Sequence, residues 1–220
     1  AAMGLTSATS LPSASLGAFE GTPLQLTSAY SAIPGAGQQA GPRFVLGIVG
    51  GEGAQIDTRT DDSEWTRSAS PRAAFFTQQL LREVVQSGTG RKLASYNLSE
   101  EIGGKTGTTN GARDAWFVGI TSEYVVTVWV GLDEGEALGA GGSKAALPIW
   151  GRFVQQAGLD QGQLPAPEGV EAVPICPVSG HGWTSACPNP EMHWKSKEAD
   201  PVERCWVHEE WVDTEYVPMP

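Results

Sequence analysis

The sequence GGKTGTTNGARDAWFVG, at residues 103–119, carries the strongest structural pattern of the chain. Its last part, residues 115–119, combines aromatic, β-branched and small residues, and a similar apolar run follows at residues 124–132. The short polar segment between the two runs predicts an antiparallel β-hairpin. Because the second run is apolar almost throughout, we expect that strand to be buried on both faces.

Helical patterns flank the predicted hairpin on both sides. Thr-Pro at residues 22–23 and Ser-Pro at residues 70–71 each place a hydroxyl residue before a proline, a typical helix start. Apolar spacing predicts that the second of these helices ends at residues 87–88 and that another helix covers residues 143–156. The glycine-rich residues 35–68 are expected to form a surface excursion with a small hairpin.

The tripeptide Lys105-Thr106-Gly107 contains the residue types with the clearest chemistry. Lys105 supplies a fixed cation that can attract a substrate carboxylate and favour deprotonation of a nearby hydroxyl. Along a strand Thr106 and Thr108 point to the same side, so both hydroxyls can bind that carboxylate. Gly107 lacks a Cβ, which lets a peptide approach the strand backbone and pair with it.

The same residues also have plainer interpretations. Roughly one chain in twenty of this length contains such a tripeptide by accident. In that case its lysine and threonine are simply solvated residues at the end of a surface strand. A phosphate-binding loop needs a glycine five residues before Gly104, and Ser99 stands there, so we set a nucleotide site aside. After the motif, we expect Asp114 to cap or to pair with Arg113, and Trp116 to lie in the core.

Composition excludes several functional classes. The 220 residues include 14 basic and 25 acidic side chains, a formal net charge of −11. Such a chain lacks the basic face that phosphate contacts require, so we expect no nucleic-acid partner. The longest nearly apolar run, residues 124–132, is far shorter than the ~20 residues that cross a bilayer, so we expect no membrane span.

Charged residues are distributed unevenly along the chain. Residues 159–220 carry 11 acidic and 3 basic side chains, whereas residues 1–158 carry 14 and 11. All cysteines and histidines lie in the C-terminal stretch. A composition shift at a segment rich in Pro, Gly and Gln indicates a linker. We therefore predict a main domain at residues 1–158, a linker at residues 159–169 and a small acidic module at residues 170–220.

A series of short motifs runs along residues 1–158 in a fixed order. The segments are SLG at residues 15–17, TPLQL at 22–26, AY at 29–30, VVQSGTG at 84–90, GGKTGTTN at 103–110, RDAWFVG at 113–119, VWVG at 128–131 and AALPIW at 145–150. This series resembles the C-terminal part of the transpeptidase domain of penicillin-binding proteins, particularly the bifunctional class A enzymes of cell-wall synthesis. The resemblance implies an α/β fold of the α+β type, with an antiparallel sheet flanked by helices, as in serine β-lactamases.

The resemblance also implies an activity and residue roles. In D,D-transpeptidation a serine attacks the penultimate D-Ala carbonyl of a peptidoglycan stem peptide, D-Ala leaves, and an amine of a neighbouring stem takes the acyl group. Lys105 and Thr108 are expected to be catalytic, the backbone N–H of Thr108 serving as an oxyanion donor whose loss costs ~10²–10³ in rate. Thr106, Gly107 and Thr108 are expected to bind substrate.

The partners implied by the resemblance are peptidoglycan stem peptides, β-lactam antibiotics and the upstream part of the same protein. In class A enzymes that upstream part includes a glycosyltransferase domain and a membrane anchor. The domain itself is therefore expected outside the cytoplasm, on the periplasmic side of the inner membrane. No cofactor and no metal ligand is expected.

The sequence departs from the family pattern at the nucleophile. The family uses Ser-x-x-Lys, and no lysine of this chain follows a serine at that offset. Ser95-Tyr96-Asn97 matches the family's Ser-x-Asn, but it lies too close to Lys105, so we interpret Ser95 and Asn97 as ordinary loop residues. We expect the missing motifs to precede Ala1 and the chain to be unable to acylate by itself. A D,D-carboxypeptidase or β-lactamase-like hydrolase and a degenerate scaffold module remain the alternatives.

The three cysteines of the C-terminal module allow two interpretations. In an extracytoplasmic protein, two of Cys176, Cys187 and Cys205 form a disulfide and one is left over. Alternatively, the three thiols and His208 form a Cys₃His zinc site, for which His193 competes as a ligand. We favour the disulfide because the resembling family works outside the cytoplasm. The module's core is expected to come from its tryptophans, which are Trp183, Trp194, Trp206 and Trp211.

Overall fold

A computed structural model describes residues 3–5, 17, 19–45, 47–51, 55–56, 65–159 and 162–208. The chain divides into two compact units, Ala1–Pro165 and Ala166–Pro220. The domain and linker boundaries expected from composition stay a prediction. Among the described residues, the first unit contains α1 (Pro23–Ser31), β1 (Gln38–Gln39), β2 (Ile48–Val49), β3 (Gln55–Ile56), β4 (Thr66–Arg67), α2 (Pro71–Gln86), a 3₁₀ helix (Arg91–Tyr96), β5 (Gly103–Thr108), a 3₁₀ turn (Asn110–Ala112), β6 (Asp114–Ile120), β7 (Val125–Gly131) and α3 (Ala146–Ala157).

The main sheet is an antiparallel meander in the order β5-β6-β7. The predicted hairpin is confirmed as β6 and β7, with Trp116 opposite Trp129. Helix α2 packs against β5, α1 against β7, and α3 against β6 and β7. The expected α/β fold of the α+β type, an antiparallel sheet flanked by helices, is thus confirmed.

One burial expectation for this sheet is wrong. Strand β7 is not buried on both faces, since its residues are half-buried or, at Trp129, exposed. Within the described part of the chain β7 pairs only with β6. The central position belongs to β6, in which Ala115 and residues 117–120 are buried. An apolar run therefore marked the hairpin correctly, but pairing on both sides decides which strand is enclosed.

The two predicted helix starts are confirmed by their caps. Thr22 Oγ1 accepts a hydrogen bond from the Gln25 backbone N–H at 3.2 Å, and Gln25 Oε1 accepts one from the Thr22 N–H at 2.9 Å. This reciprocal pair is a capping box. Ser70 Oγ accepts from the Ala73 N–H at 3.1 Å. The third helix begins at Ala146, three residues later than the spacing predicted.

The core of the first unit is built around Trp150. Its ring is fully buried and lies edge-on to Phe117, with 5.3 Å between ring centroids. Its Nε1–H donates to the Val126 carbonyl at 3.0 Å. Gly119 makes room for this ring, because a Cβ there would lie 2.3 Å from the Trp150 indole. Helix α3 therefore packs on the sheet through Trp150 and its matching glycine, together with the fully buried Leu147 and Val154.

The predicted surface excursion contains two short strand pairs. Strand β2 pairs antiparallel with β3, and β1 pairs antiparallel with β4. The first pair is the small hairpin expected from the sequence. Residue 46 and residues 52–54 and 57–64 of the excursion lie outside the described residues, as do residues 15–16 of the SLG motif.

The second unit contains an antiparallel pair, β8 (Val170–Ile175) and β9 (Glu191–Ser196). The expectation that tryptophans fill its core is wrong for Trp206, which is 67% exposed, and for Trp183, which is 37% exposed. Trp211 lies outside the described residues. In neither unit does a described helix combine the length and the apolar character that crossing a bilayer requires.

Candidate active site on strand β5

The tripeptide that the sequence singled out lies on β5, which pairs only with β6 among the described strands. Lys105 stands opposite Val118, and Gly107 stands opposite Trp116. The Lys105 side chain is exposed, and its Nζ donates to the Thr106 carbonyl at 2.8 Å. A cation is therefore held close to the strand, at an edge that no described strand covers.

The two threonine hydroxyls have different partners. Strand alternation places Thr106 and Thr108 on one face of the sheet and Lys105 on the other. Thr106 Oγ1 lies 2.8 Å from Thr89 Oγ1, which belongs to the GTG segment after α2. Thr108 Oγ1 accepts a hydrogen bond from the Gly142 N–H at 3.1 Å. The structure thus brings together the motifs at residues 84–90 and 103–110, which are separated in the sequence.

Gly142 is a site residue that sequence reasoning missed. A Cβ at this position would lie 2.7 Å from the Gly107 carbonyl oxygen and 2.3 Å from that of Trp116. The segment before α3 therefore lies directly on the backbone of β5 and β6, an approach that only glycine permits. The adjacent pair Gly141-Gly142 was the available signal, but nothing in the sequence indicates which strand it contacts.

Asp114 fixes the turn that follows β5. Its Oδ2 accepts from Thr109 Oγ1 at 2.9 Å, and its Oδ1 accepts from Trp129 Nε1 at 2.9 Å. The expected pairing of Asp114 with Arg113 is therefore replaced by hydrogen bonds across the sheet. Trp116 is only half-buried, beside Trp129 with ring centroids 6.2 Å apart, so its expected core position is also wrong.

We expect Asp114→Ala to lower the free energy of unfolding by about 1 kcal/mol, because two donors lose their acceptor at a partly exposed site. Arg113→Ala is the matched control and should stay within about 0.5 kcal/mol of the parent, since Arg113 is exposed. Urea unfolding followed by far-UV circular dichroism measures both. Equal losses in the two variants would contradict the role assigned to Asp114.

Ser95 and Asn97 are not ordinary loop residues. Ser95 lies in the 3₁₀ helix Arg91–Tyr96, where its Oγ donates to the Lys92 carbonyl at 2.8 Å. Asn97 ends that helix in the left-handed conformation, with φ of 51°. Asparagine tolerates this region better than most residues, which gives Asn97 a structural role.

The second unit holds a separate cluster of reactive side chains. The sulfur atoms of Cys176, Cys187 and Cys205 and a ring nitrogen of His208 all lie within 4.8 Å of one another. The favoured disulfide is wrong in this structure, because all three cysteines are free. His193 does not join the cluster: it is exposed, and its Nε2 lies 3.5 Å from a Glu191 carboxylate oxygen.

Hydrogen bonds shift the pKa values in this cluster. Burial opposes ionisation of the Cys205 thiol, but hydrogen bonds with Ser179 and His208 outweigh it and lower the pKa to about 6. The hydrogen bond with Cys205 raises the pKa of His208. Burial raises the pKa of Cys187. The cluster therefore favours a charged thiolate at Cys205 near neutral pH.

Comparison with protein families gives a match over most of the first unit. Residues 5–155 match the family model described as penicillin binding protein transpeptidase domain. Penicillin-binding protein 1B of Vibrio cholerae is 30% identical over 179 residues, which are 81% of this chain and 23% of that protein. Penicillin-binding protein 1A of Aquifex aeolicus is 39% identical over 141 residues, 63% of this chain and 19% of that protein.

Solved structures show the same fold. The crystal structure of penicillin-binding protein 1A from Haemophilus influenzae matches with a TM-score of 0.76 and 22% identity, covering 90% of this chain and 35% of that one. PonA1 from Mycobacterium tuberculosis matches with a TM-score of 0.61 and 24% identity, covering 76% of this chain and 49% of that one. The chain spans about a fifth of the length of the curated relatives named above.

Proposed function

Because this chain belongs to the penicillin-binding protein transpeptidase family, as its motifs predicted, we propose that it forms part of a peptidoglycan D,D-transpeptidase. The observation that carries the proposal is the exposed Lys105 on β5, at an edge not covered by another described strand. An extended stem peptide can add to such an edge through main-chain hydrogen bonds. The upstream part of the protein, stem peptides and β-lactams are the proposed partners.

The proposed roles follow the chemistry of each group. The positive charge of Lys105, which lies on the other face of the sheet from the two threonines, attracts the anionic stem peptide towards the edge of β5 and favours deprotonation of the nucleophilic serine. Thr106 and Thr108 offer hydroxyls to the carboxylate, and the absence of a Cβ at Gly107 lets the peptide approach the backbone. The Thr108 N–H donates to the oxyanion that forms when the serine oxygen attacks the D-Ala carbonyl. The carbonyl then reforms as D-Ala leaves.

The nucleophile is proposed to lie in a part of the protein that these 220 residues do not include. Two facts support this: no lysine follows a serine at the Ser-x-x-Lys offset, and the chain covers only 23% of the Vibrio cholerae relative. The acyl-serine passes its acyl group to an amine of a neighbouring stem, and β-lactams acylate the same serine. The protein is proposed to act on the periplasmic side of the inner membrane, anchored through its upstream part.

We expect the 220-residue chain alone to acquire no covalent label from a fluorescent penicillin, because it lacks the serine that forms the acyl bond. The complete protein, treated identically, should be labelled, and prior treatment with unlabelled penicillin should prevent it. Denaturing gel electrophoresis with fluorescence detection measures both. Covalent label on the chain alone would place the nucleophile within these residues and overturn this assignment.

An assay of the complete protein with a donor stem peptide and an acceptor amine separates transfer from hydrolysis. Transpeptidation predicts a cross-linked product that increases with acceptor concentration. Release of D-Ala with no cross-linked product at any acceptor concentration would instead identify a D,D-carboxypeptidase. Absence of both products together with absence of penicillin labelling would leave the scaffold interpretation.

A further inference from the structure

We propose that Cys176, Cys187, Cys205 and His208 bind one zinc ion that stabilises the second unit. This site is independent of the transpeptidase chemistry proposed for β5. It replaces the favoured disulfide and the expectation of no metal ligand with the zinc site that the sequence had left as the alternative. Three thiols and one imidazole match the Cys₃His set of structural zinc sites, which take four protein ligands and no open position.

The distances between the ligand atoms agree with a tetrahedral site. Zinc binds sulfur at about 2.3 Å and imidazole nitrogen at about 2.0–2.1 Å, which places the two ligand atoms about 3.6 Å apart. In the structure His208 Nδ1 lies 3.4 Å from Cys176 Sγ and 3.3 Å from Cys205 Sγ. Cys187 Sγ completes a group whose members all lie within 4.8 Å of one another. Small side-chain movements are therefore enough to close the site.

Polar groups around the sulfur atoms support ligation. Ser179 Oγ donates to Cys205 Sγ at 3.2 Å, and the Thr184 N–H donates to Cys187 Sγ at 3.4 Å. Such donors orient ligating thiolates and compensate the charge that remains on them. Thiols that are buried only as apolar side chains do not require such hydrogen-bond donors.

The backbone presents the cysteines from tight turns. The Gly180 N–H donates to the Cys176 carbonyl at 2.9 Å, and the Cys187 N–H donates to the Thr184 carbonyl at 2.9 Å. The Cys205 N–H donates to the Gly182 carbonyl at 2.9 Å, which brings the third cysteine to the same place. Three separate parts of the unit thus bring their cysteines to one point, and no disulfide joins these cysteines.

Few apolar side chains are buried in the described part of the second unit. Its described buried apolar side chains are Val170, Cys176 and Cys205, and two of these are proposed ligands. A two-stranded pair such as β8–β9 is marginal on its own in water. Units of this size usually depend on disulfides or a metal, and the cysteines here are free. Zinc binding supplies folding free energy directly in such cases.

The first test is the metal content of the 220-residue chain, purified without chelators and measured by inductively coupled plasma mass spectrometry. We expect about one zinc per chain. Cys205→Ser and His208→Ala should lose the metal, whereas His193→Ala, the control at an exposed histidine outside the cluster, should keep it. Equal zinc content in all variants, or no zinc in the parent after incubation with zinc chloride, would overturn the proposal. Iron or copper in place of zinc would overturn the choice of metal.

Three further measurements keep the test decisive if the ligand variants fail to fold. Ser179→Ala keeps all four ligands and should weaken zinc binding about 10- to 100-fold, as the loss of an outer hydrogen bond does. Cobalt(II) added to the metal-free parent should give the absorption of a tetrahedral thiolate site, and zinc should displace it. A thiol assay of the denatured parent in chelator, without reductant, should find all three thiols. Finding a single thiol would show that a disulfide forms instead.

Discussion

Lys105→Ala in the complete protein is expected to slow acylation by a fluorescent penicillin about 10²- to 10⁴-fold, the usual contribution of a group that assists proton transfer. The Lys105 ammonium is the cation that β5 presents at its exposed edge. Without it, the serine proposed to lie upstream loses a group that favours its deprotonated form, and the carboxylate of the antibiotic loses its counter-charge. The measurement is the time course of label incorporation at several penicillin concentrations.

Lys92→Ala is the control for this experiment, because Lys92 is also exposed but lies in the 3₁₀ helix Arg91–Tyr96. It should acylate at the parent rate. Lys105→Arg keeps the charge and should recover part of the binding, seen as a lower half-saturating penicillin concentration than in Lys105→Ala. If Lys105→Ala acylates as fast as Lys92→Ala, the role assigned to Lys105 is wrong, provided that both variants unfold at the same urea concentration.

Trp150→Ala is expected to lower the free energy of unfolding of the first unit by about 3–5 kcal/mol. The substitution removes a fully buried ring, opens a cavity beside Phe117 and leaves the Val126 carbonyl without its indole donor. A typical domain is stable by only about 5–15 kcal/mol, so the loss is a large share of the total. The free energy of unfolding is measured by urea unfolding followed by the helical circular dichroism signal. In the described residues this signal comes from α1, α2 and α3.

Ile149→Ala is the matched control, since Ile149 is the preceding residue of α3 and is 51% exposed. It should change the free energy of unfolding by less than about 0.5 kcal/mol. Trp150→Phe retains most of the apolar volume, so its loss in free energy of unfolding should lie between those of Ile149→Ala and Trp150→Ala. This variant can still be measured if Trp150→Ala does not fold. A similar loss in Ile149→Ala and Trp150→Ala would show that α3 is not anchored through Trp150.

Local patterns predicted those features that depend on neighbours in sequence. Thr22 and Ser70 were identified as helix starts because a capping hydroxyl bonds to a backbone N–H three residues away. The hairpin β6–β7 was identified because strand propensity and a short polar turn are local as well. The expected fold followed from these elements and from the family motifs.

Features that depend on pairing between distant residues were not predictable in this way. Register places Trp129 beside Asp114, so the carboxylate bonds across the sheet rather than to the adjacent Arg113. Sheet order makes β6, not β7, the enclosed strand. Neither register nor order is visible in a single run of residues, because register depends on how the turn aligns two strands and order depends on which strands meet in the sheet.

The amino-acid sequence alone determined the family, the helix and strand types, and the candidate residues Lys105, Thr106, Gly107 and Thr108, since each depends on side-chain identity at short spacing. Only the tertiary structure decided that Thr89 meets Thr106, that Gly142 lies on β5, and that three free thiols and a histidine meet at one point. The physical reason is that these contacts join segments far apart in the chain, and such segments come together only when the whole chain has folded.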